Sequence, residues 1–344
     1  MNLKTLSKAT LVLAALAAVG LAIRLVSDSG GGQGVGRVVL NPELVEKAFR
    51  IVLEDTHQKT TLEKNREGWG VLEQSGFPAD IAALGRVFLQ LGEDKIDRLV
   101  TDKPEGLGDL GLVSPAESNS GMDEDETGLL ITLADDNGKP LVQLVVGNAR
   151  TGSGEGQGGG TYIRFFPEQK GYLVFSNLNI SSNPADWLEK KVTNFEGRKE
   201  IRKMVITPPG GKKLYFGRDK EDSPWDSGEK NNPANQMAVG EAADAMGRMT
   251  LMSVLRNPSQ NLENPTRIDV ELFSGMVYTL RVSPKTVGEG NPILVSAAVE
   301  KSHGGDGPLQ AAADRFNKRM GTTVLLMEGW KAKSLLKKPK DYYR

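Results

Sequence analysis

The second half of this chain repeats the order of elements of the first, and that repetition most limits what it can fold into. A repeat on this scale calls for two similar modules, each burying its own sheet. In the first block "KTTLEK" (59–64) alternates as a strand does, and "GWGVLE" (68–73) reads as its hairpin partner. Pro78 stands at a helix start, and Ile81, Leu84, Phe88 and Leu91 follow at spacings of three, four and three, one apolar helical stripe. "KIDRLVTD" (95–102) reads as a strand and "LGDLGLVSP" (107–115) as a loop with apolar anchors. "GLLITLAD" and "PLVQLVVG" flank Asp135, Asp136, Asn137 and Gly138, a hairpin signal. "TYIRFF" and "GYLVFS" continue the meander, and "PADWLEKKV" (184–192) reads as a short closing helix.

From residue 201 the order returns. "IRKMVITP" and "KKLYFGRD" are strands, and "SPWDSG" places Trp225 after them as Trp69 was placed. Val239, Ala242, Met246 and Met249 again run three, four, three. "LMSVLRNP" follows that helix as "KIDRLVTD" followed the first. "TRIDVELFSG", "VYTLRVSP" and "PILVSAAVE" are further strands, and "GPLQAAADRFNKRMG" reads as an added helix. "TVLLMEGWKAKSLLKK" (323–338) mirrors "YLVFSNLNISSNPADWLEKK" (172–191), with Leu-Leu-Lys-Lys set against Leu-Glu-Lys-Lys. The expected fold is α+β: two similar halves from an internal duplication, each a largely antiparallel sheet packed by an amphipathic helix. The halves are read as residues 41–195 and 196–344. Trp69 and Trp225 are read as core plugs between sheet and helix, together with the stripe residues of both helices.

The N-terminus adds a second constraint. Lys4 and Lys8 precede an uncharged run from Ala9 to Ile23, and Arg24, Leu25 and Val26 follow. The run spans roughly 22 Å as a helix, short of a ~30 Å hydrocarbon core, and snorkelling by Lys8 and Arg24 extends it. Residues 1–26 are therefore read as an uncleaved membrane anchor, contacting the bilayer through residues 9–26. A cleaved signal peptide, with Gly20 and Ala22 near the cut, is the alternative. Positive charge before the run favours the N-terminus inside and the bulk of the chain outside. "SDSGGGQGVG" (27–36) opens a Gly/Ser-rich tether spanning 27–40.

Composition removes several chemistries. The chain has 344 residues, no cysteine and only two histidines, His57 and His303. Thiol catalysis, disulfides and thiolate metal sites are excluded. A formal net charge of -1 gives no footprint for nucleic acid.

Four motifs stop short of a site. Gly154-x-Gly156-x-x-Gly159 matches a dinucleotide fingerprint, but the strand-like "TYIRFF" follows instead of a helix. "SLLK" (334–337) has the spacing of a Ser-Lys pair without the partner elements. "DEDETG" (123–128) opens like a calcium loop but has Ala134 where a glutamate is required. Asp94 and Asp97 are close in sequence without a pocket signal. No catalytic, cofactor or metal residue is assigned and no cofactor is expected.

The series "GWGVLEQSGFPADIAALGRVFLQLGEDKI", "LGLVSP", "LVVGNA", "TYIRFF", "GYLVFS" and "WLEKKV" resembles the bacterial domain-of-unknown-function family 4340. Members typically carry a Trp, an Ala-Asp helix start, a long amphipathic helix, a Leu-Gly-Leu-x-x-Pro turn, a Val-Gly strand end and an N-terminal membrane segment. The resemblance covers roughly residues 50 to 255, with a weaker echo to 338. No catalytic residue is established for the family. Its members are often encoded beside ABC-transporter permeases, ATPases and gliding-type auxiliary components. The resemblance implies, by association, an extracytoplasmic accessory role; with the anchor, the tether, the duplication and the lack of catalytic constellations, the chain is read as a non-enzymatic accessory or scaffold protein at the bacterial inner membrane. Its expected partners are other envelope proteins, with an ABC-transporter complex the candidate. An envelope carbohydrate-binding module or carboxylate-dependent hydrolase is the alternative.

Overall fold

A computed structural model of the protein describes residues 34–119, 122–150, 159–255, 262–300 and 307–344. The apolar run 9–26, the start of the tether, most of the 152–160 glycine loop and His303 lie outside these residues. Among the described residues no helix is long and apolar enough to cross a membrane. Tertiary contacts divide the chain into two units between Glu189 and Lys190, six residues before the boundary read from the sequence. The reason is backbone pairing: the Val192 amide donates to the Met249 carbonyl at 2.8 Å, and the Leu251 amide to the Lys190 carbonyl at 2.9 Å. Phe195 also stacks on Tyr278, with ring centroids 5.5 Å apart.

The first unit holds one antiparallel sheet of nine strands: β1 (Arg50–Glu54), β2 (Lys59–Asn65), β3 (Gly68–Val71), β4 (Phe77–Pro78), β5 (Ile96–Thr101), β6 (Leu129–Ala134), β7 (Pro140–Arg150), β8 (Gly160–Phe165) and β9 (Gly171–Val174). Their order across the sheet is β4-β3-β2-β1-β6-β7-β8-β9-β5. The β6–β7 hairpin turns where the sequence places it. Asp135 accepts from the Asn137 and Lys139 amides at 3.0 and 2.8 Å, and Gly138 takes φ +78°, a conformation glycine adopts without strain. Helix α1 (Pro42–Lys47) and helix α2 (Ile81–Glu93) complete the unit. Residues 34–40, read as the end of the tether, are instead fastened to it. Val39 and Leu40 are buried, and their amides donate to the carbonyls of Asp94 and Leu91 at 2.8 and 3.0 Å. Apolar residues beside a Gly/Ser run are drawn into any core within reach.

The second unit holds seven antiparallel strands: β10 (Ile201–Thr207), β11 (Leu214–Gly217), β12 (Ser253–Val254), β13 (Thr266–Leu272), β14 (Met276–Val282), β15 (Gly290–Val299) and β16 (Leu325–Glu328). Their order is β11-β10-β13-β14-β15-β16-β12. Its helices are α3 (Gln236–Met246), α4 (Pro308–Met320) and α5 (Gly329–Leu335). The protein is thus α+β with two antiparallel sheets. Set β3 and β4 aside, and the first sheet reads β2-β1-β6-β7-β8-β9-β5, strand for strand the order of the second.

The helices correct several details of the sequence reading. Pro78 lies on β4, and Asp80 is the cap of α2, accepting from the Ala82 and Ala83 amides at 2.9 and 3.0 Å. Leu84, Phe88 and Leu91 form the buried face of α2, whereas Ile81 in its first turn is only half-buried. In α3 Val239, Ala242 and Met246 are buried, but so are Ala238, Gly240, Ala243 and Ala245. A single stripe therefore understates a helix enclosed nearly all round. Met249 is fully buried yet lies past the end of α3. Helix α4 lies on β15, where the Asn317 side chain accepts from the Ala297 amide at 2.7 Å and donates to its carbonyl at 2.6 Å.

"PADWLEKKV" does not form an α-helix. It makes one tight 3-10 turn, Pro184–Trp187, and then runs extended. Its purpose is visible in the pairing. The Asp80 amide donates to the Trp187 carbonyl at 2.7 Å and the Glu189 amide to the Pro78 carbonyl at 2.9 Å, while Ala79 and Leu188 form a β-bridge. The second unit repeats this pin at Pro339–Tyr342. The Asn235 amide donates to the Tyr342 carbonyl and the Arg344 amide to the Pro233 carbonyl, both at 2.9 Å, and Ala234 bridges Tyr343. Pro78-Ala79-Asp80 thus answers to Pro233-Ala234-Asn235, and Pro184–Leu188 to Pro339–Tyr343. The pairing of Leu-Glu-Lys-Lys with Leu-Leu-Lys-Lys read from the sequence is the wrong register.

Candidate functional site

The residues that carry a catalytic suggestion in the sequence stand apart in the fold. Ser334 Oγ donates to the Trp330 carbonyl at 3.5 Å, and Lys337 is paired with Glu241, so Ser334 and Lys337 serve separate partners. Asp94 caps the end of α2 and accepts from Ser176, while Asp97 lies beside Arg98 on β5. His57 is exposed, 3.1 Å from the exposed Glu124, a surface pair of small energetic weight. Glu124–Glu126 form a 3-10 turn rather than a calcium loop. This turn, Gly108, Asp109, Asp123 and Asn148 line an open depression of about 400 Å³. Among the described residues no three His, Cys, Asp or Glu side chains are grouped to hold a metal ion.

Four of the motifs that carry the family resemblance, "LGLVSP", "LVVGNA", "TYIRFF" and "GYLVFS", meet around one loop. In "LGLVSP" Leu112 and Ser114 are fully buried, and Leu112 joins a cluster with Leu107, Leu130 and Val145. Gly111 turns the loop with φ +65°. Below it, at the Val-Gly of β7, a Cβ on Gly147 would stand 2.4 Å from the Leu110 carbonyl oxygen. Only glycine lets the loop backbone lie directly on the strand. Arg164 of "TYIRFF" rises from β8 to fasten the loop from the other side. It donates to the Leu112 carbonyl at 3.0 Å and makes a two-pronged contact with Glu117 at 2.7 and 2.9 Å. Arg164 is 1% exposed, so its charge is tolerable only because these acceptors surround it. Its hydrogen bonds hold the Glu117 carboxyl below its ordinary value, outweighing burial, which pushes it up. Sequence reasoning missed Arg164; the signal was a lone arginine in the apolar strand run "TYIRFF".

The two tryptophans diverge. Trp225 is 6% exposed. Its amide donates to Gln236 Oε1 at 2.8 Å, Gln236 Nε2 donates back to its carbonyl at 2.8 Å, and the Arg218 guanidinium stands 4.6 Å from its ring. Trp69, expected as the matching plug, is only half-buried. It lies on β3 opposite Lys64, whose ammonium sits 5.5 Å from the ring.

The profile of the family described as "Domain of unknown function (DUF4340)" matches residues 69–265. That is more than half of the chain, and the protein belongs to this family. No curated protein and no solved structure matches it. The match begins at Trp69 and takes in α2, the Arg164-fastened loop, the first pin and α3. The motifs of the resemblance thus serve one purpose in this chain: they fasten loops and helix starts to a sheet.

Proposed function

We propose that the protein is a non-enzymatic accessory or scaffold protein, tethered to the bacterial inner membrane with its two sheet units on the extracytoplasmic side. It docks other envelope proteins, with an ABC-transporter complex the candidate. One observation carries this reading: the uncharged run Ala9–Ile23, with Lys4 and Lys8 before it and Arg24 after it, and a Gly/Ser stretch stand before two sheet units. The equal strand orders and the two pins support descent of the units from one duplicated module. Crosslinking in intact membranes followed by purification tests the docking, with discrete crosslinked species expected. Recovery only as a free monomer under all conditions would refute it. Mass spectrometry of the native N-terminus tests the anchor, and a mature chain starting near Ile23 would exclude it.

A further inference from the structure

We infer that the outer face of α5 and the segment after it form a docking surface for anionic lipid headgroups. Residues 329–344, "GWKAKSLLKKPKDYYR", contain six cationic side chains and one carboxylate, in a chain whose formal net charge is -1. The fold sorts them. Ala332 and Leu335 face inward, as does Lys331, which donates to Thr250 Oγ1 at 3.0 Å and pairs with Glu328. Trp330 and Lys333, three residues apart, share the outward face, and Trp330 is 64% exposed. Lys333, Lys338, Lys340 and Arg344 are all exposed.

The nearby carboxylates offset this charge in part and leave a net positive balance. Glu241 is paired with Lys337, Glu328 with Lys331, and Asp341 accepts from the Lys338 amide. Glu289, whose carbonyl abuts Gly329 at the start of the helix, Glu229, whose charge acts on Tyr343, and Asp341 itself oppose the four exposed cations. The exposed indole has the Lys331 ammonium 5.3 Å from its ring and Lys333 one turn along, and such a pairing matches the boundary between headgroups and acyl chains: the ring prefers that depth, and exposed ammonium groups meet the lipid phosphates. Charge complementarity alone would suit an acidic protein equally. The large uncovered tryptophan and an uncharged N-terminal run preceded by lysines in the same chain favour the bilayer. The inference rests on the proposed tether only for bringing this face near a membrane.

The test uses the full chain reconstituted with vesicles carrying bromine-labelled acyl chains, made of phosphatidylcholine with or without phosphatidylglycerol. The bromines quench an indole at that depth. Tryptophan quenching is expected with phosphatidylglycerol and not without it. Trp330→Phe should abolish it. Lys333→Glu combined with Lys340→Glu should lower it about fivefold or more, at the per-lysine strength typical of anionic surfaces. All three positions are exposed, so these variants leave the core intact. A chain that stays on both vesicles with no Trp330 quenching overturns this inference and spares the tether. Quenching equal in both lipids, or unchanged in Trp330→Phe, also overturns it. A chain that leaves phosphatidylcholine vesicles but is quenched on phosphatidylglycerol upholds it, and the tether reading fails instead.

Discussion

The two units share a strand order and a pin but finish their sheets differently. The first extends past β2 by two more strands, β3 and β4. The second stops at β11, beside which a single residue, Asp226, makes a bridge to Gly217. Each tryptophan sits at this edge under a cation from the neighbouring strand or the residue following it, Lys64 or Arg218. Trp69 is half-buried, whereas Gln236 holds the main chain of Trp225 and Arg218 stands over its ring. Between β8 and β9 the first unit has a short turn, while between β15 and β16 the second inserts α4. What stays the same is what holds a helix start to the sheet, and what changes is how an edge is covered.

The pins offer the strongest way to break this comparison. Trp187 and Tyr342 are both buried, each donating a side-chain hydrogen bond to a main-chain carbonyl. Trp187→Ala and Tyr342→Ala should each destabilise their own unit by about 3–5 kcal/mol. Urea unfolding with hydrogen exchange resolved by unit reads this, and a loss confined to one variant would end the equivalence.

The Arg164 clamp has no described counterpart in the second unit. Arg164→Ala, which strands a half-buried carboxylate and a buried carbonyl, should cost about 3 kcal/mol in the first unit alone. Glu117→Gln adds a pH signature. Its carboxyl is held below the ordinary 4.5, so the native pair contributes fully above that pH and loses its contribution as pH falls through the lowered value. The gap between wild type and Glu117→Gln should therefore close in acid. A gap independent of pH would show that the pair is not the source.

At the edges, Trp225→Ala should cost about 3 kcal/mol and Trp69→Ala about 1. Equal losses would mean that β3 encloses its tryptophan as fully as the second unit does. The helix caps give the smallest effects. Asp80→Ala and Asn235→Ala should each cost about 1 kcal/mol, visible as small midpoint shifts in urea. Asp80, with two accepted amides near 3.0 Å against one at 3.4 Å for Asn235, should lose the more.

Much of this fold is legible in the chain. Alternation and turn residues mark the hairpins β2–β3, β6–β7 and β13–β14, because side-chain period and turn chemistry are local. The buried stripe of α2 follows from spacing alone. The candidate site is less legible. That Arg164 meets Glu117, or that Gly147 makes room for Leu110, depends on contacts between residues far apart in sequence. "PADWL" resembles a short helix locally, yet it makes only one 3-10 turn, Pro184–Trp187, before the bridge between Leu188 and Ala79 ends it.

The sequence by itself determined an α+β class, strands in a repeated order, and the absence of thiol chemistry, since these depend on residue type and periodicity. Which segment pins each helix start, Pro184–Leu188 in the first unit and Pro339–Tyr343 in the second, came from the tertiary structure. The same holds for which tryptophan is enclosed and which arginine is buried. Each of these depends on which distant segment covers a side chain or accepts its hydrogen bonds, and local pattern carries no information about that partner.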